Sequence, residues 1–291
     1  MTDVSRTVPF TVAKRRRPIA ASKIAARVIL YALCALFLLP IYSMVTSGLK
    51  TPQELGAFPP TFFPQQLAWE NYELATSFIP FWQYFGNTLF VTVMSTIGSV
   101  ASSFVIAYGF ARFDFPGRTV LFYSVLGSIF LASFPVVTLV PLFDFFTRLG
   151  WVNTYLPLIV PTFFGNAFYI FLLRQFLVRI PAEILEAARL DGANEFQLIR
   201  LVVLPLALPA VAVVAVFAVF NAWNDFLGPL IYLQDQSKYT LAIGLSFYKS
   251  MHDAQWHLMN MASTLVVLPE IIVFLIFQRA FIRGIAAGAI K

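Results

Sequence analysis

Charge is scarce in this chain, histidine rarer still, and cysteine almost absent. Charged residues make up 12% of the 291 positions, about half the usual share of a soluble domain. Length alone would allow two soluble domains, but a chain that is 59% hydrophobic with so little charge is built for a membrane. The single Cys34 excludes an intrachain disulfide and leaves the redox compartment unread. His252 and His257 are five residues apart, off a common helical face, and no cysteine or acidic cluster completes a metal site with them. Both are expected at the surface. No G-x-x-x-x-G-K-[ST] loop occurs, so no nucleotide or other cofactor is expected on this chain. No nucleophile, base and orienting acid recur together in the apolar runs, which argues against an intramembrane enzyme.

Long apolar runs are what the sequence has in quantity. A helix needs about 20 mostly apolar residues to cross the hydrocarbon core. Six stretches qualify, at about 28–47, 89–111, 119–143, 154–173, 201–223 and 258–278. None alternates strictly with period two, so they read as helices rather than barrel strands. The expected fold is an all-α, polytopic membrane protein with six transmembrane helices.

The net charge of +6 does not call for nucleic acid, because the charges lie between the spans and not on one face. With both termini inside, sixteen of the 20 Lys and Arg fall on the cytoplasmic side, leaving Lys50, Arg148, Lys238 and Lys249 outside. That asymmetry predicts an N-in, C-in topology. The first apolar run is too long for a signal-peptide core and no A-x-A-like site follows it, so it is expected to be retained. Residues 1–27, with their KRRR cluster, form a basic tail that serves as a topology determinant or rests against anionic lipid. Prolines recur within the spans, at 135, 141, 157, 161, 205, 209 and 269. Each removes a backbone donor and is expected to kink its helix.

The most informative segment is the longest interior loop, about 179–200, between the fourth and fifth spans. Ile180-Pro181 predicts a helix start, with Glu183 near its positive end. Ile184, Leu185 and Ala188 fall on one face, Glu183, Glu186 and Arg189 on the other. Asp191-Gly192 ends the helix, Gly192 supplying a left-handed residue. Asn194 then caps a second helix with Gln197 at the reciprocal position. An interfacial amphipathic helix without a partner would account for the apolar face, but not for hinge, spacing and placement together.

The spacing Glu186-Ala187-Ala188, Gly192, Val202 and Leu204-Pro205 resembles the "EAA" motif of permease subunits in bacterial ABC importers. The motif usually carries isoleucine where this chain has Val202. "AYGFARFDFPGR" at 107–118, "NAWNDFLGPLIYL" at 221–233, and the C-terminal stretch with Gly284, Gly288 and Lys291 are similar to maltose-type carbohydrate-uptake permeases. The resemblance implies a type I ABC importer permease fold over residues 28–291. It implies a second homologous permease subunit, two ATP-binding subunits or domains carrying the ATP and Mg, and an extracytoplasmic solute-binding protein, with membrane lipids around the spans. It also implies that Glu186, Ala187, Ala188, Asp191 and Gly192 form the contact with the ATPase, and that a sugar, oligosaccharide, polyol or glycerol-phosphate-type solute moves inward by alternating access.

Pathway candidates come from polar groups at membrane depth, which face a cavity or the bundle interior. Asn221, Trp223, Asn224 and Asp225 end the fifth span and combine amide, carboxylate and aromatic groups suited to sugars. Alternatively, Trp223 is an interfacial anchor and Asn224-Asp225 opens a loop. Glu270 lies mid-span in "VVLPEIIVF" and is expected to line the pathway or a subunit interface, unless the span is shifted to bring it to a polar layer. An ion-coupled secondary transporter is the alternative function. It would need ionisable relays in several spans, and Glu270 is the one candidate. A peptide or amino-acid permease is a third reading, against which the sugar-type motifs stand.

Overall fold

The computed structural model describes residues 21–132, 135–249 and 255–289, with side chains for 23–130, 138–249 and 255–278. Residues 1–20 of the basic tail, His252 and Lys291 lie outside this set, as do the side chains of Arg279 and Arg283, and Gly284 and Gly288 are described only as helix backbone. The chain divides into two units, residues 1–44 and residues 45–291. The first supplies most of helix α1 (Ala21–Gly48), with Pro40 inside it.

Among its described residues the second unit is built of helices joined by loops. In chain order come α2 (Pro52–Leu55), α3 (Glu70–Phe78), α4 (Phe81–Arg112), α5 (Arg118–Ala132), α6 (Pro135–Arg148), α7 (Leu156–Ile159) and α8 (Ala167–Leu177). They are followed by α9 (Ala182–Leu190), α10 (Glu195–Gln197), α11 (Leu204–Trp223), α12 (Leu227–Tyr232), α13 (Leu241–Ser246) and α14 (Trp256–Ala289). Leu, Val, Ile, Phe and Ala fill the long helices, whose backbone groups satisfy one another along the axis, as a hydrocarbon surrounding demands.

Among the described residues, five helical segments are long and apolar enough to span: 23–48, 81–112, 156–177, 195–223 and 256–278. Over the expected third span, the described residues form α5 up to Ala132 and α6 from Pro135. Residues 118–130 form a shorter apolar helix. Prolines explain other departures from straight helices. Pro161 lies in a 3-10 turn, Val160–Phe164, between α7 and α8. Pro205 follows a π-helical turn, Leu198–Val203, in which Leu204 N–H reaches back to Ile199. Only Pro141, Pro209 and Pro269 of the seven sit inside a helix. The others begin or bend one, where a missing N–H costs little.

Helix α4 is the axis of the unit, packed against α8, α11 and the 3-10 turn. Close approach is enabled at Gly98, where an added Cβ would lie 2.5 Å from Thr162 Oγ1 and 2.6 Å from the Phe163 ring. One buried cluster gathers Tyr108, Leu173, Leu177, Leu185, Leu198 and Val203. The other gathers Tyr84, Trp223, Tyr248 and Met261. His257, expected at the surface, is buried at the first turn of α14, and its half-apolar ring suits that position.

Basic residues mark the two ends. At one end Arg112 donates to the carbonyls of Leu177 and Ile180, the latter at 2.8 Å. There too, Arg174 lies 4.2 Å over the Phe122 ring. At the other, Lys238 donates to the carbonyl of Asn153 at 2.8 Å. Lys50 caps the carbonyl of Thr61, and Glu54 accepts from the Thr61 hydroxyl at 2.7 Å. The Thr61 bond holds the Glu54 carboxyl below its ordinary value.

Candidate functional site

Two features stand out, a surface loop at the Arg112 end and a polar cavity between the helices.

The loop begins with Pro181 at the N-cap of α9, just outside the first turn. Leu185 is buried and Ala188 partly so, anchoring α9 on the core. Ile184, expected beside them, is exposed because α9 meets the core along a stripe only two residues wide. Gly192 sits at φ +86°, with nothing within 4 Å of a would-be Cβ. Its backbone, not its smallness against a neighbour, is what the turn requires. Asn194 and Gln197 exchange the two bonds of a capping box at 2.9 Å each. Glu186, Ala187, Asp191 and Gly192 all face outward. Two large apolar side chains flank the turn in the open, Leu190 at 89% exposure and Phe196 at 70%.

Glu195 ties this loop to the bundle. Its Oε2 accepts from the Tyr108 hydroxyl in α4 at 2.8 Å, and its Oε1 from Arg189 Nη2 and Nε at 2.9 and 3.1 Å. Sequence reasoning passed over Glu195 and Tyr108, since 87 positions separate them.

The cavity, of about 380 Å³, opens among α4, α7, the 3-10 turn, α8, α11 and α12. Thr88, Ser95 and Ser99 of α4 form one wall, and Asn166, Phe168 and Tyr169 another, facing Asn221 and Asp225. Asn221 Nδ2 donates to the Tyr169 hydroxyl at 2.9 Å. Asn166 Oδ1 accepts from the N–H groups of Phe168 and Tyr169, closing the N-terminus of α8. Asp225 Oδ1 accepts from Gly228 N–H at 3.1 Å. Burial pushes the Asp225 carboxyl above its ordinary value, against the pull of the Gly228 and Leu227 N–H groups.

The five pathway candidates therefore separate. Asn221 in the last turn of α11 and Asp225 just beyond the helix end both line the cavity. Trp223 does not. It is buried, donates from Nε1 to the Val266 carbonyl at 3.2 Å, and meets Phe85 edge-on at 5.7 Å. It packs against α14 and α4 and does not line the cavity, because α11 turns by about 100° per residue. Asn224 is exposed and donates to Glu270 Oε1, joining the end of α11 to α14 away from the cavity. No group of three or more His, Cys, Asp or Glu is placed to hold a metal among the described residues.

Comparison with known proteins agrees with this architecture. The arabinooligosaccharides transport system permease protein AraQ of Bacillus subtilis (strain 168) is 32% identical over 272 residues, 92% of this chain and 96% of AraQ. The inner membrane ABC transporter permease protein YcjP of Escherichia coli (strain K12) is 34% identical over 282 residues, 91% of this chain and 97% of YcjP. A chain in the crystal structure of a bacterial ABC transporter for import of the acidic polysaccharide alginate shares the fold. Its TM-score is 0.77 at 23% identity, with 94% of this chain and 99% of that one covered. Residues 2–287 match the family described as the binding-protein-dependent transport system inner membrane component. With that match over nearly its whole length, and with helices of spanning length and composition, the chain belongs to the family of inner-membrane components of binding-protein-dependent transport systems.

Proposed function

We propose that this chain is the carbohydrate-translocating permease of an ATP-driven importer. It pairs with a second, homologous permease and works with two ATP-binding subunits or domains that carry ATP and Mg. An extracytoplasmic binding protein delivers the solute. The chain makes and breaks no covalent bond. Glu186, Ala187, Ala188, Asp191 and Gly192 form the contact with the ATPase, and alternating access carries the sugar or oligosaccharide inward.

The observation that carries this reading is the exposed turn of the loop. A membrane protein that leaves Leu190 and Phe196 bare beside an open glycine turn, at the end where its basic residues gather, presents a surface for another protein. Small Ala187 lets a partner backbone approach, and Glu186 offers a charge to basic groups. Behind the turn, Leu185 and Glu195 fasten the loop to the core and to α4, so force on the surface reaches the helices that line the cavity.

The test is uptake by the complete importer in proteoliposomes, across neutral oligosaccharides, polyols and glycerol phosphodiesters. Uptake of a carbohydrate that needs internal ATP and the binding protein is the expected result. Uptake driven by an ion gradient without ATP would overturn the reading.

A further inference from the structure

The cavity walls supply hydroxyls, amides, one ring and one carboxylate. Thr88, Ser95, Ser99 and Thr162 bring the hydroxyls, Asn166 and Asn221 the amides. No lysine, arginine or histidine stands among the described lining residues. Two details point to a ligand. Thr240 lines the cavity at 3% exposure, and its hydroxyl has no hydrogen-bond partner. A buried hydroxyl left unmade is costly unless something enters and pairs with it. Asp225, partly buried, has its Oδ1 fixed by Gly228 N–H and no cation beside it in the lining.

The same groups decide which ligand fits. An anion needs a cation or open N–H groups. One such feature in the wall, the N-terminus of α8, is closed by Asn166 Oδ1. Asp225 would repel a carboxylate or phosphate in so small a space. A neutral polyhydroxylated ring meets none of these penalties. Its hydroxyls donate to Asp225 and pair with Thr240 and Asn221, while Phe168, part-exposed in the wall, offers an apolar face.

We propose that this cavity is a solute subsite within this one permease subunit, and that it accepts neutral sugar rings while rejecting uronic acids and sugar phosphates. This rests on the reading of the chain as a carbohydrate permease. It narrows that reading by excluding the anionic solutes, and it adds Thr88, Ser95, Ser99, Thr162, Asn166 and Thr240 to Asn221 and Asp225.

The experiment is equilibrium binding to the complete detergent-solubilised importer without its binding protein. Probes are tritiated neutral disaccharides of glucose, galactose, xylose and arabinose, with uronic-acid disaccharides as competitors. Wild type is expected to bind at least one neutral probe and to ignore the uronates. Thr240→Val removes only an unpaired hydroxyl, so the fold should be no less stable while binding weakens about tenfold. Asp225→Asn keeps the oxygen that accepts from Gly228, weakens neutral binding several-fold, and lets uronates compete. Wild-type affinity in both variants, uronate competition in wild type, or no neutral probe bound would each overturn the proposal. A companion uptake assay separates the two readings. ATP-driven carbohydrate uptake with any of those outcomes sinks the subsite alone, whereas its absence sinks the permease reading as well.

Discussion

Tyr108, in the last turn of α4, donates a 2.8 Å hydrogen bond to Glu195 at the start of α10, and Arg189 of α9 grips the other oxygen of the same carboxylate. Two helices of the surface loop are thereby fastened to α4, which lines the cavity. The same helix carries Thr88 near its start and Ser95 and Ser99 at its middle, all in the cavity wall.

Tyr108→Phe removes that link while keeping the ring, which meets Phe113 edge-on at 5.8 Å. The lost bond is worth about 1 kcal/mol, so thermal unfolding should shift only slightly. Solute-stimulated ATP hydrolysis should fall several-fold while basal hydrolysis and complex assembly persist. Glu195→Gln should act in the same direction, since it weakens both halves of the fork.

Gly192→Ala should cost about 1 kcal/mol, because the residue sits at φ +86° but meets no neighbour. Assembly of the importer, followed by size-exclusion chromatography, should survive this change.

Gly98→Ala should be worse. Its Cβ would fall 2.5 Å from Thr162 Oγ1 and 2.6 Å from Phe163, and such overpacking costs about 1–3 kcal/mol. Lower thermal stability and a disturbed cavity wall are expected together, read by melting and by neutral-sugar binding.

Asp225→Asn should raise stability at neutral pH. The folded state holds the Asp225 proton more tightly than the unfolded chain does. Stability therefore declines as pH rises from the ordinary value of 3.8 through the raised one, and the ionised form carries the penalty at pH 7. The amide escapes it. Melting curves should show the variant ahead at pH 7, with the difference closing toward pH 4.

Trp223→Phe separates packing from pathway. It loses the bond to Val266 and the fit against Phe85, so stability should drop by about 1–2 kcal/mol. Sugar affinity should stay at the wild-type level, because Trp223 does not line the cavity.

The loop was legible because its signals are local. A helix stop at Asp191-Gly192 and a cap at Asn194-Gln197 are each written within four residues. Helical spans were legible for the same reason, through length and composition. What escaped depends on distant pairing. Nothing near Glu195 announces Tyr108, and nothing near Trp223 announces Val266. The cavity had a readable trace. Thr88, Thr92, Ser95, Ser99 and Ser103 recur at three- and four-residue spacing along an otherwise apolar helix, the polar stripe of one helical face. Reading the end of the fifth span as a block hid a division within it. Asn221, Ala222 and Asp225 line the cavity, whereas Trp223 and Asn224 do not.

The most direct test of the account is solute-stimulated ATP hydrolysis by the reconstituted importer, comparing wild type with Glu186→Lys and Gly192→Pro. Both changes fall on exposed positions of the loop, away from the core. The account predicts that stimulation is lost in both, whether the complex holds together uncoupled or comes apart from its ATPase. Full stimulation in both variants would contradict it, and would reduce the loop to a surface helix with no partner.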